Sequence, residues 1–283
     1  MLAPARPEPD ELVPVGPGVE LAIWREGGGG ADDLAPFLLV HGLASNAHLW
    51  DGVAARLAAA GHQVVAVDLR GHGRSAKPEG PYDLPTVATD VSTLVSQLGW
   101  TGPAVLAGQS YGAIVVLEAA NRLGADVKAV ACVDGGHIDL RSRFPDWAEC
   151  ERLLAPPRSA GTPADVIEGW ITQAHPDWPT EGLAGAMACF EVRADGAVAP
   201  WLTFERHMAV LRGLWDADTA SIRRATTHPT LLITAEDGMP GKRADLEAAS
   251  GQLAHADVIW MPGHHDLHAQ HPDAVADALL QLA

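Results

Sequence analysis

Ala104-Val105-Leu106-Ala107-Gly108-Gln109-Ser110-Tyr111-Gly112 is the stretch on which the reading turns. Four apolar residues run into Gly-x-Ser-x-Gly, and Ala113 to Leu123 continues with helical patterning. Between a strand and a helix this pattern makes a turn so tight that its central serine is held in a strained backbone conformation. Gly108 and Gly112 are needed because side chains there would collide with the neighbouring elements. The serine hydroxyl is thereby exposed at the top of a sheet. The helix that starts beside it offers free N–H groups and the positive end of its dipole to a developing negative charge.

Working outward, short apolar runs alternate with helical patterns. Val19 to Trp24 alternates like a half-buried strand, and Phe37 to Val40 is continuously apolar, as in a strand covered on both faces. Trp50 to Ala60 and Leu84 to Leu98 read as helices, and Gln63 to Val67 and Val127 to Val133 as strands. Thr230 to Thr234 and Val258 to Trp260 read as the last strands, with helices near Lys242–Leu253 and Asp273–Leu282. Such alternation predicts an α/β fold: a doubly wound, mostly parallel sheet of about eight strands. The Pro-rich first dozen residues read as loose. From residue 137 to about 214 the rhythm breaks, and short helical patterns such as Ala164–Ala174 and Trp201–Leu214 predict a helical insertion. The expected division is a core in two parts, 1–136 and 215–283, with a cap from 137–214 between them.

The chain has 36 acidic against 19 basic residues and a formal charge of −17, which argues against nucleic acid and anionic membranes as partners. Cys132, Cys150 and Cys189 form no CxxC pair and read as reduced thiols. The N-terminal segment lacks the apolar centre of a signal peptide, and a cytoplasmic location is expected.

A serine needs a base, and the base needs an orienting group. The segment Gly263-His264-His265-Asp266-Leu267-His268-Ala269-Gln270-His271-Pro272 offers four histidines, and counting back from His271-Pro272 favours His265. No thiolate or carboxylate set completes a metal site there.

With these residues the chain resembles the α/β-hydrolase fold superfamily, in particular its capped ester- and lactone-hydrolase-like members. His41-Gly42-Leu43, Asp68-Leu69-Arg70-Gly71-His72-Gly73-Arg74-Ser75, Gly108 to Gly112 and the His264–Pro272 region stand in the family's order. The resemblance implies a cofactor-independent hydrolase acting on a carboxylic ester, lactone or thioester through an acyl-enzyme on Ser110. It implies oxyanion donors at the N–H of Leu43 and Tyr111, and a structural role for the Asp68–Ser75 loop. The remaining histidines, His264, His268 and His271, read as surface or supporting residues. Where the family usually places its acid, after the strand Thr230–Thr234, this chain has Gly238, with Asp237 one residue early. Asp134, ending the strand Val127–Val133, is the preferred acid; Asp237 is the alternative, with Glu236 or no acid at all behind them. Trp147, Trp170, Trp178 and Trp201 are candidates for lining an apolar substrate pocket. A C–C bond hydrolase, an acyltransferase, a cofactor-free non-hydrolytic enzyme and a non-catalytic binding protein of the same fold stay open. The expected partner is a small, largely apolar ester-like molecule.

Overall fold

A computed structural model describes residues 8–27, 34–238 and 240–283. The chain runs β1 (Glu11–Gly16), β2 (Val19–Glu26), β3 (Phe37–Val40), α1 (Asp51–Ala59), β4 (Val64–Val67), α2 (Leu84–Gln97), β5 (Ala104–Gln109), α3 (Tyr111–Leu123) and β6 (Val127–Val133). An insertion follows: α4 (Leu140–Arg143), α5 (Trp147–Leu154), α6 (Ala164–Ala174), α7 (Thr180–Met187), β7 (Phe190–Val192), β8 (Val198–Pro200) and α8 (Phe204–Asp216). The core resumes with α9 (Thr219–Ala225), β9 (Thr230–Ala235), α10 (Lys242–Ser250), β10 (Ala256–Met261), α11 (Leu267–Gln270) and α12 (Pro272–Leu280).

Eight strands form one sheet in the order β1-β2-β4-β3-β5-β6-β9-β10. β1 and β2 are antiparallel to their neighbours and the remaining pairs are parallel. The central strands are apolar throughout because both faces are covered. Side chains divide between two cores with the period of two that a pleated strand imposes. Leu38, Val40 and Leu106 pack with α2 and α3 on one side. Phe37, Leu39, Val105 and Ala107 pack with α1 and α12 on the other.

Two expectations change. The Pro-rich start is not wholly loose, because Glu11–Gly16 pairs with β2 as an edge strand; residues 1–7 lie outside the described residues. Pro14 is tolerated there because an edge strand has one unpaired side. The insertion is not purely helical either, since β7 and β8 pair as a small antiparallel ribbon. Among the described residues no helix is long and apolar enough to cross a membrane.

Candidate active site

Parallel strands β5 and β6 end side by side, and their last residues carry the polar groups of interest. Ser110 directly follows β5 with φ 52° and ψ −115°. A Cβ on Gly108 would run into the carbonyl of Gly112, and one on Gly112 into the carbonyls of Val40 and His41. The two glycines are thus required by the packing of the turn against its own helix and against β3. Asp134 directly follows β6 with φ 41°. A Cβ on the next residue, Gly135, would lie 2.5 Å from the carbonyl oxygen of Ser110, so the two turns are in contact. Among the described residues only Ala44, Ser110 and Asp134 are non-glycine residues with positive φ. Ala44 directly follows Leu43, which with Ser110 and Asp134 lines one cavity. Each such conformation costs about 1–3 kcal/mol and persists only where its surroundings enforce it.

His265 sits in the loop between β10 and α11. Its Nδ1 lies 2.7 Å from Asp134 Oδ2. Gln109 donates to the His265 carbonyl at 3.1 Å, and the Gln270 side chain accepts the His264 N–H at 2.8 Å, so the loop is tied down on both sides of the imidazole. The other Asp134 oxygen, Oδ1, accepts the Ala235 N–H at 3.0 Å and lies 2.6 Å from Lys242 Nζ. Burial pushes the Asp134 carboxyl up, but the hydrogen bonds from His265 and Lys242, with their charges, outweigh it and hold the group below its ordinary value. Desolvation pulls the His265 imidazole down. The bond to Asp134 and the charges of Asp266 and Asp134 overcome it, and its pKa is raised.

The alternative acid, Asp237, lines the same cavity but is not the partner of the His265 imidazole. Asp237 is exposed and lies 3.4 Å from the equally exposed His264. Of the surface or supporting positions expected for His268, the surface one is ruled out: it is fully buried against Trp50, and burial takes its pKa down to about 3. His41 is satisfied within the fold, with Nε2 accepting the Leu69 N–H and Nδ1 donating to the Gly42 carbonyl. Asp68 accepts the Ala47 and Arg74 N–H groups, and Arg70 pairs with Asp90.

Ser110, Asp134, His265, Leu43 and Tyr111 line a common cavity of about 550 Å³. Ser110 and His265 face it without a direct hydrogen bond among the described residues, an arrangement that commonly tightens only around substrate. Tyr111 is the first residue of α3, so its N–H has no intrahelical acceptor. The Leu43 N–H donates to no protein acceptor among the described residues.

Most of the remaining wall is apolar and comes from the insertion, as Ile138, Leu140, Phe144, Leu154, Leu211 and Leu214; His137, Arg143 and His207 of the insertion and Asp237, Gly238, Lys242 and His264 of the core complete it. None of the four candidate tryptophans is among these lining residues. Trp147 packs edge-on against Trp215, Trp170 is 57% exposed, and Trp178 is stacked on His175. Trp201 lines a second cavity of about 480 Å³, which shares only His207 with the first. Trp147 and Trp178 serve the insertion's own packing, while Trp170 is exposed and Trp201 faces a different cavity. Sequence reasoning also missed Lys242, for which the one available signal was the glycine at 238.

A family model described as the alpha/beta hydrolase family matches residues 37–278. The chain belongs to the alpha/beta hydrolase family. This α/β-hydrolase is 27% identical to 2-(acetamidomethylene)succinate hydrolase of Mesorhizobium japonicum, over 86% of this chain and 85% of that protein. It is 34% identical to epoxide hydrolase A of Mycobacterium tuberculosis, over 93% and 94%. The solved structure of E-2-(acetamidomethylene)succinate hydrolase superposes with a TM-score of 0.79 at 24% identity, covering 96% of this chain and 97% of that one. These likenesses identify a hydrolase fold whose relatives act on different bonds.

Proposed function

We propose that this α/β-hydrolase is a serine hydrolase that cleaves a carboxylic ester, lactone or thioester through an acyl-enzyme on Ser110. The observation that carries the reading is the 2.7 Å contact between His265 Nδ1 and Asp134 Oδ2, in the cavity that the strained Ser110 also faces. With Nδ1–H donated to Asp134, Nε2 is left as a free base. In the proposed reaction Nε2 takes the Ser110 proton as Oγ adds to the substrate carbonyl. The carbonyl oxygen gains the charge and is met by the N–H groups of Leu43 and Tyr111, a contribution of roughly 3–4 kcal/mol for one donor. His265 then passes the proton to the leaving alkoxide or thiolate. A water, deprotonated by the same nitrogen, adds to the acyl carbonyl; the acyl–Oγ bond then breaks as Nε2–H returns the proton to Ser110 Oγ, releasing the acid and restoring neutral His265.

A serine at position 110 supports this chemistry over epoxide opening, in which the family's usual nucleophile is a carboxylate. The largely apolar wall supports a compact, apolar acyl or alcohol part. The test is rapid-mixing kinetics on p-nitrophenyl acetate and butyrate. The wild type should release nitrophenolate in a burst stoichiometric with enzyme. Ser110→Ala should lose the burst and about 10⁶ of kcat while keeping its fold. A burst that survives in Ser110→Ala would remove Ser110 from the mechanism.

A further inference from the structure

Lys242 is the first residue of α10, and its side chain is 9% exposed. A positive charge at the start of a helix opposes the helix dipole, and burying an ammonium is costly, so something must compensate this lysine. Its three N–H bonds are all accounted for. Nζ lies 2.6 Å from Asp134 Oδ1, 2.7 Å from the Ala235 carbonyl oxygen and 2.9 Å from that of Asp237. The same carboxylate offers its other oxygen to His265. Lys242 and His265 therefore hold Asp134 from opposite sides, and the Ala235 N–H fixes the carboxylate plane.

The lysine also explains position 238. A Cβ on Gly238 would lie 2.7 Å from Lys242 Cδ and 3.0 Å from Nζ. The lysine stem thus fills the space that a side chain at 238 would need. A side chain at 238 would displace the lysine stem; the chain has glycine there, and the residue paired with His265 stands after β6.

We propose that Lys242 is a positioning residue for Asp134. It holds Oδ2 toward His265, and it offsets the negative charge that Asp134 and the neighbouring, partly buried Asp266 place on the imidazole. Without that offset the two carboxylates would favour the protonated imidazole, which cannot act as a base. With it, the resting imidazole stays neutral over a wider pH range.

The kinetic arm of the test rests on the serine-hydrolase reading; a second arm does not. In the first, the pH profile of kcat/KM is measured on p-nitrophenyl butyrate for wild type, Lys242→Met, Lys242→Arg and Gly238→Ala. The active form needs neutral His265, so losing the lysine charge should move the acid limb to higher pH. Lys242→Met should also lower the alkaline plateau about ten-fold, as loss of a group that orients a functional side chain commonly does. Lys242→Arg should keep the limb near its wild-type position. Gly238→Ala keeps both charges but displaces the lysine stem, and should move the limb the same way by less. In the second arm, His265 is titrated by NMR in ¹⁵N-histidine-labelled Ser110→Ala protein and assigned by its loss in His265→Asn. Adding Lys242→Met should again move the titration to higher pH. An unmoved limb and titration, with activity lowered equally at every pH, would overturn the proposal and leave Lys242 a loop anchor. If the wild type hydrolyses no ester, the serine-hydrolase reading fails, while the titration still decides the role of Lys242.

Discussion

The two walls of the cavity at Ser110 are built on different principles. One consists of strand ends, where Ser110 and Asp134 are held at positive φ and glycines at 108, 112 and 135 leave no room for a side chain. The other consists mainly of apolar residues from the insertion, such as Phe144 and Leu211, held by ordinary packing. Steric locking fixes atoms to within tenths of an ångström, as proton transfer requires. Apolar packing tolerates exchange of one side chain for another of similar volume. The first wall accordingly suits chemistry, and the second suits the choice of what reaches it.

The contrast predicts effects of very different size. On the strand-end wall, His265→Ala should lower kcat on an activated ester about as much as removing the serine, and His264→Ala should change it little. Asp134→Asn should cost about 10⁴ in kcat, because an amide favours the wrong imidazole tautomer. Asp237→Asn, at an exposed carboxylate facing His264, should stay within a few-fold of wild type. Because the neighbours of His265 raise its pKa, the rate should rise with pH through a midpoint above the ordinary histidine value. A large loss at Asp237 would erase the distinction between a locked acid and an exposed one.

On the insertion wall the effects should be smaller and should depend on substrate. Phe144→Ala or Leu211→Ala should shift the ratio of kcat/KM between acetyl and longer acyl esters by about ten-fold or more, the scale of one or two methylenes in an apolar pocket. Trp147→Ala, at a residue outside the lining, should lower the melting temperature and leave that ratio unchanged. If the tryptophan changes the ratio and the lining residues do not, the insertion positions substrate through a different surface.

The same contrast explains what could be read without coordinates. Gly108 and Gly112 announce the elbow because only glycine fits there, and the spacing to His271-Pro272 locates His265 because that loop has little freedom. Asp134 is legible by default, from the glycine at 238. That this glycine makes room for Lys242 is not legible, since the lysine is four residues away and meets Asp134 only when α10 turns back on β9. Which face of α8 carries cavity residues is equally hidden. All three of Val210, Leu211 and Leu214 pack in the core, but only Leu211 and Leu214 also reach the cavity, a difference set by how the insertion lies on the sheet. The tryptophans misled because aromatic bulk signals burial without saying against what. β1 escaped notice because an edge strand can carry a proline and exposed acids.

The central claim is that Ser110 is the nucleophile activated by the His265–Asp134 pair. The most direct measurement is peptide mapping by mass spectrometry after treatment with a fluorophosphonate, run in parallel on wild type, Asp134→Asn and Asp237→Asn. The account predicts one phosphonylated residue, Ser110, labelled at the wild-type rate in Asp237→Asn and far more slowly in Asp134→Asn. Label on another residue, no label at all, or slow labelling in Asp237→Asn with Asp134→Asn unaffected would contradict it.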